Sequence, residues 1–136
     1  MTKTELFLEL AKPDKNGNPK KDGWYYVDGI LVELILTFIF VMVINAATDP
    51  KNGSEKHAGI VIGLTLAAVH MMGCNYTGTS VNPARSLGPA LLEWFDKKDG
   101  VVDGKHNFAI KQIWIFIIGP MAGGALAGLA YDALLG

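Results

Sequence analysis

Three long runs of hydrophobic residues alternate with polar segments along the chain. Residues 29–47 carry one charge, Glu33, residues 58–74 contain no Lys, Arg, Asp or Glu, and residues 113–135 carry only Asp132. A helix of about 19 residues rises about 28 Å, close to the roughly 30 Å hydrocarbon thickness of a bilayer. The pattern therefore predicts three transmembrane helices over these ranges. Buried helices of a soluble protein are the alternative, but the chain has too little amphipathic sequence to cover three such runs.

A fourth apolar stretch, residues 82–94, is shorter and carries Arg85 near its start. As a helix it would rise about 18 Å, roughly half the hydrocarbon thickness. It opens with Asn82 and Pro83, residue types favoured at the N-cap and the first helical position. A half-length helix at membrane depth is tolerated only where protein or a water-filled cavity surrounds it. Residues 75–94 are therefore predicted to form a re-entrant loop and half-helix, with an interfacial helix as the alternative.

The first 28 residues differ from the rest in being polar. They carry ten charges, five Lys, three Asp and two Glu, and residues 13–23 are rich in Pro, Gly, Asn and Lys, as solvated loops are. They lack the basic start and the continuous apolar core of a signal peptide. We expect residues 1–28 to form a polar N-terminal loop segment.

Composition narrows the function classes. Half of the 136 residues are hydrophobic, 18% are charged, and the net charge is −1. Such a chain is too apolar for an intrinsically disordered protein and lacks the basic surplus that binding to nucleic acid requires. Its single cysteine excludes an intrachain disulfide and a multi-cysteine metal site. No nucleophile–base pair, phosphate-binding loop or metal cluster stands out, so we expect no enzyme activity, no cofactor and no metal.

Glycines spaced four residues apart recur in the predicted spans. This spacing lets helix backbones approach closely in membranes. The pairs are Gly59 with Gly63, Gly119 with Gly123, and Gly124 with Gly128.

The segment GTSVNPARSLGPAL, residues 78–91, resembles the second signature loop of the aquaporin (major intrinsic protein) family. The resemblance covers residues 29–136, where the spans, the loop motif, the half-helix and a glycine-rich last span occur in the family's order. A complete member has two inverted repeats, and these residues resemble the second, C-terminal one. The resemblance implies an all-α membrane fold of three transmembrane helices plus one re-entrant half-helix, that is, one inverted repeat of the aquaporin fold.

The same resemblance implies a role for each residue that matches a family motif. The assignments are Asn82, Pro83 and Ala84 as the pore NPA motif, His70, Thr79 and Arg85 as the selectivity filter, the carbonyls of Gly78, Thr79 and Ser80 as pore-lining acceptors, and Glu33 as support for the loop. The implied function is a passive transmembrane water channel, of which this half supplies one side of the pore.

The residues themselves leave alternatives open. Asn82 could simply cap a surface helix, and a lone histidine in an apolar run, such as His70, is more often a hydrogen-bonded packing residue. Glu33 lies four residues into its span and could reach the interface rather than the loop. Pro89 and Pro120 each remove one backbone hydrogen bond from a predicted helix.

Selectivity for water is the expectation, and two alternatives stand beside it. Glycerol channels of the family usually carry Asp after the motif's arginine and a small residue in place of the filter histidine, whereas this chain has Ser86 and His70. Ile117 departs from the pattern, because water channels often have Trp there. The alternatives are a facilitator of glycerol or another small neutral solute, and a non-conducting truncated membrane component.

The resemblance also implies partners and a location. The partners are water as permeant, the first-repeat half of the channel, the lipid bilayer and three further copies in a homotetramer, and the location is the cell membrane as a multi-pass protein. Residues 1–28 and 95–112 hold nine Lys on one predicted side, against two in residues 48–57 on the other. This bias favours the Lys-rich side in the cytoplasm, opposite to the family. Because eight acidic residues accompany those Lys, we expect the family's orientation.

Overall fold

The computed structural model describes residues 24–52, 55–95 and 108–135. These form four α-helices: α1 (Trp24–Thr48), α2 (Ala58–Gly73), α3 (Pro83–Phe95) and α4 (Phe108–Leu135). Two single-turn 3₁₀ helices, Pro50–Asn52 and Glu55–His57, connect α1 to α2. Most of the predicted polar segment, residues 1–23, lies outside the described residues, as do residues 96–107.

Helices α1 and α4 both begin five residues before the predicted spans at residues 29 and 113. The added turn of α1 carries Tyr26, whose ring lies 5.6 Å from that of Trp114, near the start of the predicted span on α4. Such amphipathic aromatic residues belong at the membrane–water boundary, so a helix can continue beyond its apolar run.

By length and composition, two helices of the described chain can cross a bilayer, at Tyr26–Thr48 and Ile110–Leu135. The third predicted span, α2, begins as expected at Ala58 but has only 16 residues, a rise of about 24 Å. It ends at Gly73 because residues 74–77 form a turn that leads into the loop before α3. The described chain thus has two apolar helices long enough to span a bilayer, one shorter apolar helix and the half-length helix α3.

Helix α1 is central, with α4 and α2 packed against it and α3 packed against α4. Its crossing with α4 is close at Gly123, where a Cβ would lie 2.3 Å from the carbonyl oxygen of Leu34. At Gly119 a Cβ would lie 2.8 Å from the Cβ of Glu33. The predicted close approach is therefore confirmed for this glycine pair.

The other two glycine pairs do not mark close crossings within the described chain. A Cβ added at Gly59, Gly63 or Gly128 would have no atom within 4 Å, and at Gly124 the nearest atom would be 3.8 Å away. A Cβ at Gly124 would therefore be in ordinary contact with Val41 of α1, and the other three positions have open space beside them. Large apolar side chains are exposed on all four described helices, among them Ile35 and Ile39 on α1, Leu64 and Met71 on α2, Leu92 on α3, and Ile118 and Leu129 on α4.

Candidate functional site

The segment between α2 and α3 is a tight loop with an unusual backbone. It begins with a turn in which the amides of Tyr76 and Thr77 donate to the carbonyl of Gly73 at 2.9 and 3.1 Å. It then takes positive φ angles at Gly78 (79°), Thr79 (53°) and Val81 (45°). Left-handed backbone is ordinary for glycine and strained for a β-branched residue, so other contacts must hold this loop in place.

Glu33 provides three of those contacts from α1. Its side chain is fully buried. Oε1 accepts hydrogen bonds from Thr77 Oγ1 at 2.6 Å and from the amide of Ser80 at 2.9 Å. Oε2 accepts from the amide of Val81 at 2.8 Å. The carboxylate therefore faces the loop and is satisfied there, rather than extending to an interface.

Asn82 joins the loop to the half-helix. Its Oδ1 accepts a hydrogen bond from the amide of Ala84 at 2.9 Å, so the predicted capping contact is present, and α3 begins at Pro83. The Asn82 side chain is exposed, and its amide nitrogen Nδ2 has no partner among the described residues. Two donor hydrogens are therefore directed to the open side of the loop.

Two serine hydroxyls brace the same junction. Ser86 Oγ donates to Ser80 Oγ at 2.6 Å, and Ser80 Oγ donates to the carbonyl of Asn82 at 2.8 Å. Sequence reasoning used Ser86 only to weigh one solute against another, and it assigned Ser80 a role through its carbonyl alone. It also gave no role to Thr77, which links Glu33 to the Thr79 amide. The sequence signal that could have indicated these contacts is the concentration of hydroxyl residues in and after the loop, at Thr77, Thr79, Ser80 and Ser86.

Arg85, on the first turn of α3, contacts the loop directly. Its Nη1 donates to the carbonyl oxygen of Thr79 at 2.6 Å. The Arg85 side chain is exposed, whereas the Thr79 side chain is fully buried. The structure thus brings Thr79 and Arg85 together through the Thr79 backbone, and the Thr79 side chain faces the interior. The carbonyls of Gly78 and Ser80 have no hydrogen-bond partner among the described residues, so both can accept.

His70 lies in the last turn of α2 and is half-buried. Its Nδ1 is 2.8 Å from the carbonyl oxygen of Leu66. Because a carbonyl oxygen only accepts, Nδ1 donates the hydrogen in this contact. The contact lies within α2, and no hydrogen bond joins His70 to Arg85 in the described chain.

Metal ligands do not assemble in this region. Among residues 24–52, 55–95 and 108–135, no group of three or more His, Cys, Asp or Glu side chains could hold a metal ion. Cys74 is a free, half-buried thiol at the start of the turn.

Two apolar helices of spanning length, together with a half-length helix that follows a loop anchored by a carboxylate, are consistent with an integral membrane protein. The sequence matches the major intrinsic protein family over residues 4–131, and the chain belongs to that family. The family match begins at residue 4, whereas the resemblance carried by the spans and the loop motif begins at Gly29. The match therefore also includes most of residues 1–28. The aquaporins of this family are channels rather than enzymes, in keeping with the expected lack of enzyme activity.

Relatives come from plants and animals. The chain is 42% identical to aquaporin TIP2-3 of Arabidopsis thaliana over 113 residues, which is 81% of this chain and 40% of that protein. It is 40% identical to the lens fiber major intrinsic protein of Lithobates pipiens over 105 residues, 76% of this chain and 35% of the relative. The chain is 38% identical to aquaporin-2 of Ovis aries over 107 residues, which is 78% of this chain and 34% of that protein. The chain therefore spans well under half the length of these relatives.

Proposed function

We propose that this chain forms the second half of a passive transmembrane water channel. The observation that carries the proposal is the loop between α2 and α3, held from behind by Glu33 with polar groups left on its open side. Those groups are Nδ2 of Asn82 and the guanidinium of Arg85, both on exposed side chains. The carbonyls of Gly78 and Ser80, which have no hydrogen-bond partner among the described residues, are the acceptors that we propose to line the pore. Water in single file needs donors and acceptors in place of its lost neighbours, and this set supplies both.

Exclusion of cations follows from the charges at the same place. Arg85 carries a permanent positive charge, and the N-terminus of α3 behind Asn82 adds roughly half a charge more. A cation that entered would lose its hydration shell and meet positive charge in return. The site therefore suits a small neutral permeant.

Water is favoured over glycerol by the two large side chains proposed to narrow the pore. Arg85 and His70 fill space with polar groups and leave no apolar wall for the carbon backbone of a polyol. Ser86, bonded to Ser80, stands where glycerol channels of the family usually have Asp. A glycerol facilitator is the second candidate, favoured by Ile117 in a position where water channels often have Trp.

Asn82 and Arg85 expose polar groups on the open side of the loop, and these groups are costly to leave in contact with lipid. This supports the proposal of a protein partner on that side. We propose that the first-repeat half of a channel, in the same longer chain or a separate one, supplies the opposite half-helix. Four such pores would then associate as a homotetramer in the cell membrane. A non-conducting membrane component remains the alternative in which no such partner is recruited.

Osmotic measurements on vesicles test the proposal. The chain is reconstituted with a first-repeat half from a related channel, and water and glycerol permeabilities are measured by stopped-flow light scattering. We expect water flow without glycerol flow for the unchanged chain, and glycerol leakage with Arg85→Val and with His70→Gly. Lys56→Val, which removes an exposed positive charge away from the loop, is the control and should exclude glycerol. Unchanged glycerol exclusion in both filter variants would contradict the assignment.

A further inference from the structure

Gly73, the last residue of α2, occupies a position where no side chain fits. A Cβ there would lie 2.3 Å from Cδ1 of Leu36 and 2.4 Å from Oγ1 of Thr79. Earlier on the same helix, Gly59 and Gly63 have nothing within 4 Å of such an atom. The absence of a side chain at Gly73 therefore creates a seat, and the Thr79 side chain lies in it.

Packing, rather than polar bonding, holds the Thr79 side chain in this seat. It is fully buried, and its hydroxyl has no hydrogen-bond partner in the described part of the chain. The backbone of Thr79 is left-handed, with φ of 53°, and its carbonyl accepts the 2.6 Å bond from Nη1 of Arg85. The side chain of Thr79 thus lies against Gly73, and the carbonyl of the same residue binds the arginine.

We propose that Gly73 is a positioning residue for Arg85, and through it a determinant of solute exclusion. A side chain at position 73 would push Thr79 out of its seat and rotate its carbonyl away from Nη1. Leu36 would also have to move, but Cδ1 is the end of a flexible side chain and can rotate. The proposal rests on the proposed function only in its second step, from the position of Arg85 to the exclusion of polyols.

A matched pair of glycine substitutions tests the first step. Gly73→Ala and Gly63→Ala make the same change on the same helix, one in the seat and one in open space. Hydrogen exchange of the Arg85 guanidinium, followed by ¹⁵N NMR in lipid nanodiscs, reports its bond to Thr79 without requiring conduction. We expect exchange at least about tenfold faster in Gly73→Ala, the lower end of the factor expected for losing one hydrogen bond of a charged group, and no change in Gly63→Ala. Equal exchange in the two variants would overturn the proposal.

Suppressor variants separate the role of Thr79 from general crowding. In Gly73→Ala with Thr79→Ala, the two Cβ atoms would be 3.4 Å apart, an ordinary contact, so slow exchange should return. In Gly73→Ala with Leu36→Val it should stay fast. If Leu36→Val restored slow exchange instead, Gly73 would serve only to pack against Leu36 and would not position Arg85 through Thr79. If Gly73→Ala does not fold, Thr79→Gly is the alternative variant, because it removes the side chain from the seat and glycine suits the left-handed backbone. We expect faster exchange of the Arg85 guanidinium in Thr79→Gly. Unchanged exchange in that variant would overturn the proposal.

Permeability tests the second step and keeps the two proposals apart. In the channel assembled with a first-repeat half, Gly73→Ala should raise the ratio of glycerol to water permeability severalfold, and Gly63→Ala should not. If the unchanged assembly conducts no water, the proposed function fails, while the exchange experiment still decides the role of Gly73. If exchange quickens but glycerol stays excluded in a conducting assembly, the link from Arg85 position to solute exclusion is wrong.

Discussion

At the scale of single residues, the loop between α2 and α3 balances strain against charged hydrogen bonds. Left-handed backbone at Thr79 and Val81 costs on the order of 1–3 kcal/mol for each residue. The three bonds to Glu33 contribute about 1.5–3 kcal/mol each, because the acceptor is charged. The bonds oppose the strain, and the loop in turn satisfies a carboxylate that would be costly to bury alone.

Substitutions at Glu33 should reveal this dependence in graded form. Glu33→Gln retains one acceptor oxygen, which can serve Thr77 and Ser80, but turns an NH₂ group toward the amide of Val81. Glu33→Leu removes every acceptor and leaves each donor unsatisfied, at about 1–3 kcal/mol per group. We expect Leu to lower the free energy of unfolding more than Gln, measured by denaturant titration in detergent micelles.

The control for Glu33→Gln is Asp132→Asn, the same change of carboxylate to amide at an exposed position on α4. It should leave the unfolding free energy within about 0.5 kcal/mol of the unchanged chain. Equal effects of Gln and Leu at position 33 would contradict a role for the carboxylate in holding the loop.

Residue chemistry in the sequence was enough to predict some of these contacts and not others. Asn before Pro predicted the helix cap, whereas an acid inside an apolar span indicated either buried donors or an extension to the interface. The burial of the Thr79 side chain against Gly73 could not be predicted, because it depends on how the end of α2 meets the loop. No local pattern encodes that approach.

At the scale of elements, the crossing of α1 and α4 sets how the bundle holds together. Backbone meets backbone there, since a Cβ on Gly123 would lie 2.3 Å from the Leu34 carbonyl oxygen. A backbone atom cannot rotate aside as a side chain can, so any added atom must separate the helices. The N-terminal ends of α1 and α4 were harder to predict than the crossing, since both helices begin five residues before the predicted spans. A run of hydrophobic residues marks only the part of a helix that lies in hydrocarbon, and the helix can continue beyond it.

Gly123→Ala should therefore weaken the bundle, by about 1–3 kcal/mol as overpacked sites do. Gly128→Ala, five residues later on the same helix, adds the same methyl to a site with nothing within 4 Å. It should be neutral or slightly stabilising, because Ala is the better helix former. Thermal unfolding followed by circular dichroism in micelles compares them, and equal melting temperatures would argue against the tight crossing.

A second link between elements joins the α1–α2 connection to the end of α4. Tyr131 on α4 donates its hydroxyl hydrogen to Oδ2 of Asp49 at 2.7 Å, and the amide of Lys51 donates to Oδ1 at 2.8 Å. These donors, the tyrosine foremost, and the Lys51 charge lower the pKa of Asp49 below its ordinary value of 3.8. The contact therefore contributes fully above that value and is lost as the pH falls through the lowered pKa.

Tyr131→Phe removes the main cause of this shift, so the pKa of Asp49 should rise toward its ordinary value. A carboxyl ¹³C titration by NMR measures it. Tyr76→Phe, which removes the hydroxyl of an exposed tyrosine in the loop, should leave the Asp49 titration unchanged. If the Asp49 curve were the same with and without the Tyr131 hydroxyl, the link to α4 would not exist in solution.

At the scale of the whole molecule, the polar groups of the loop face an open side. Asn82 and Arg85 are both exposed, although they lie where the half-helix begins. An arginine facing lipid at mid-membrane costs about 2.5–3.5 kcal/mol on insertion scales and more in simulations. We therefore expect protein rather than lipid to cover this side, as the inverted repeat of the proposed channel would.

We expect that copies of this chain inserted in one orientation do not form a water pore. A pore of this kind needs two half-helices that enter from opposite faces and meet at their N-termini, and each copy supplies one, α3. Parallel copies place both on the same side, so neither covers the Arg85 of the other.

Osmotic permeability per protein should stay near that of empty vesicles for the chain alone and rise when a first-repeat half is present. The control is the same pair carrying Glu33→Leu, which should insert but conduct less, and the orientation of every sample is verified by labelling Cys substituted at Asn52. Full conductance by the chain alone, in one verified orientation, would show that the second repeat can close a pore without an inverted partner.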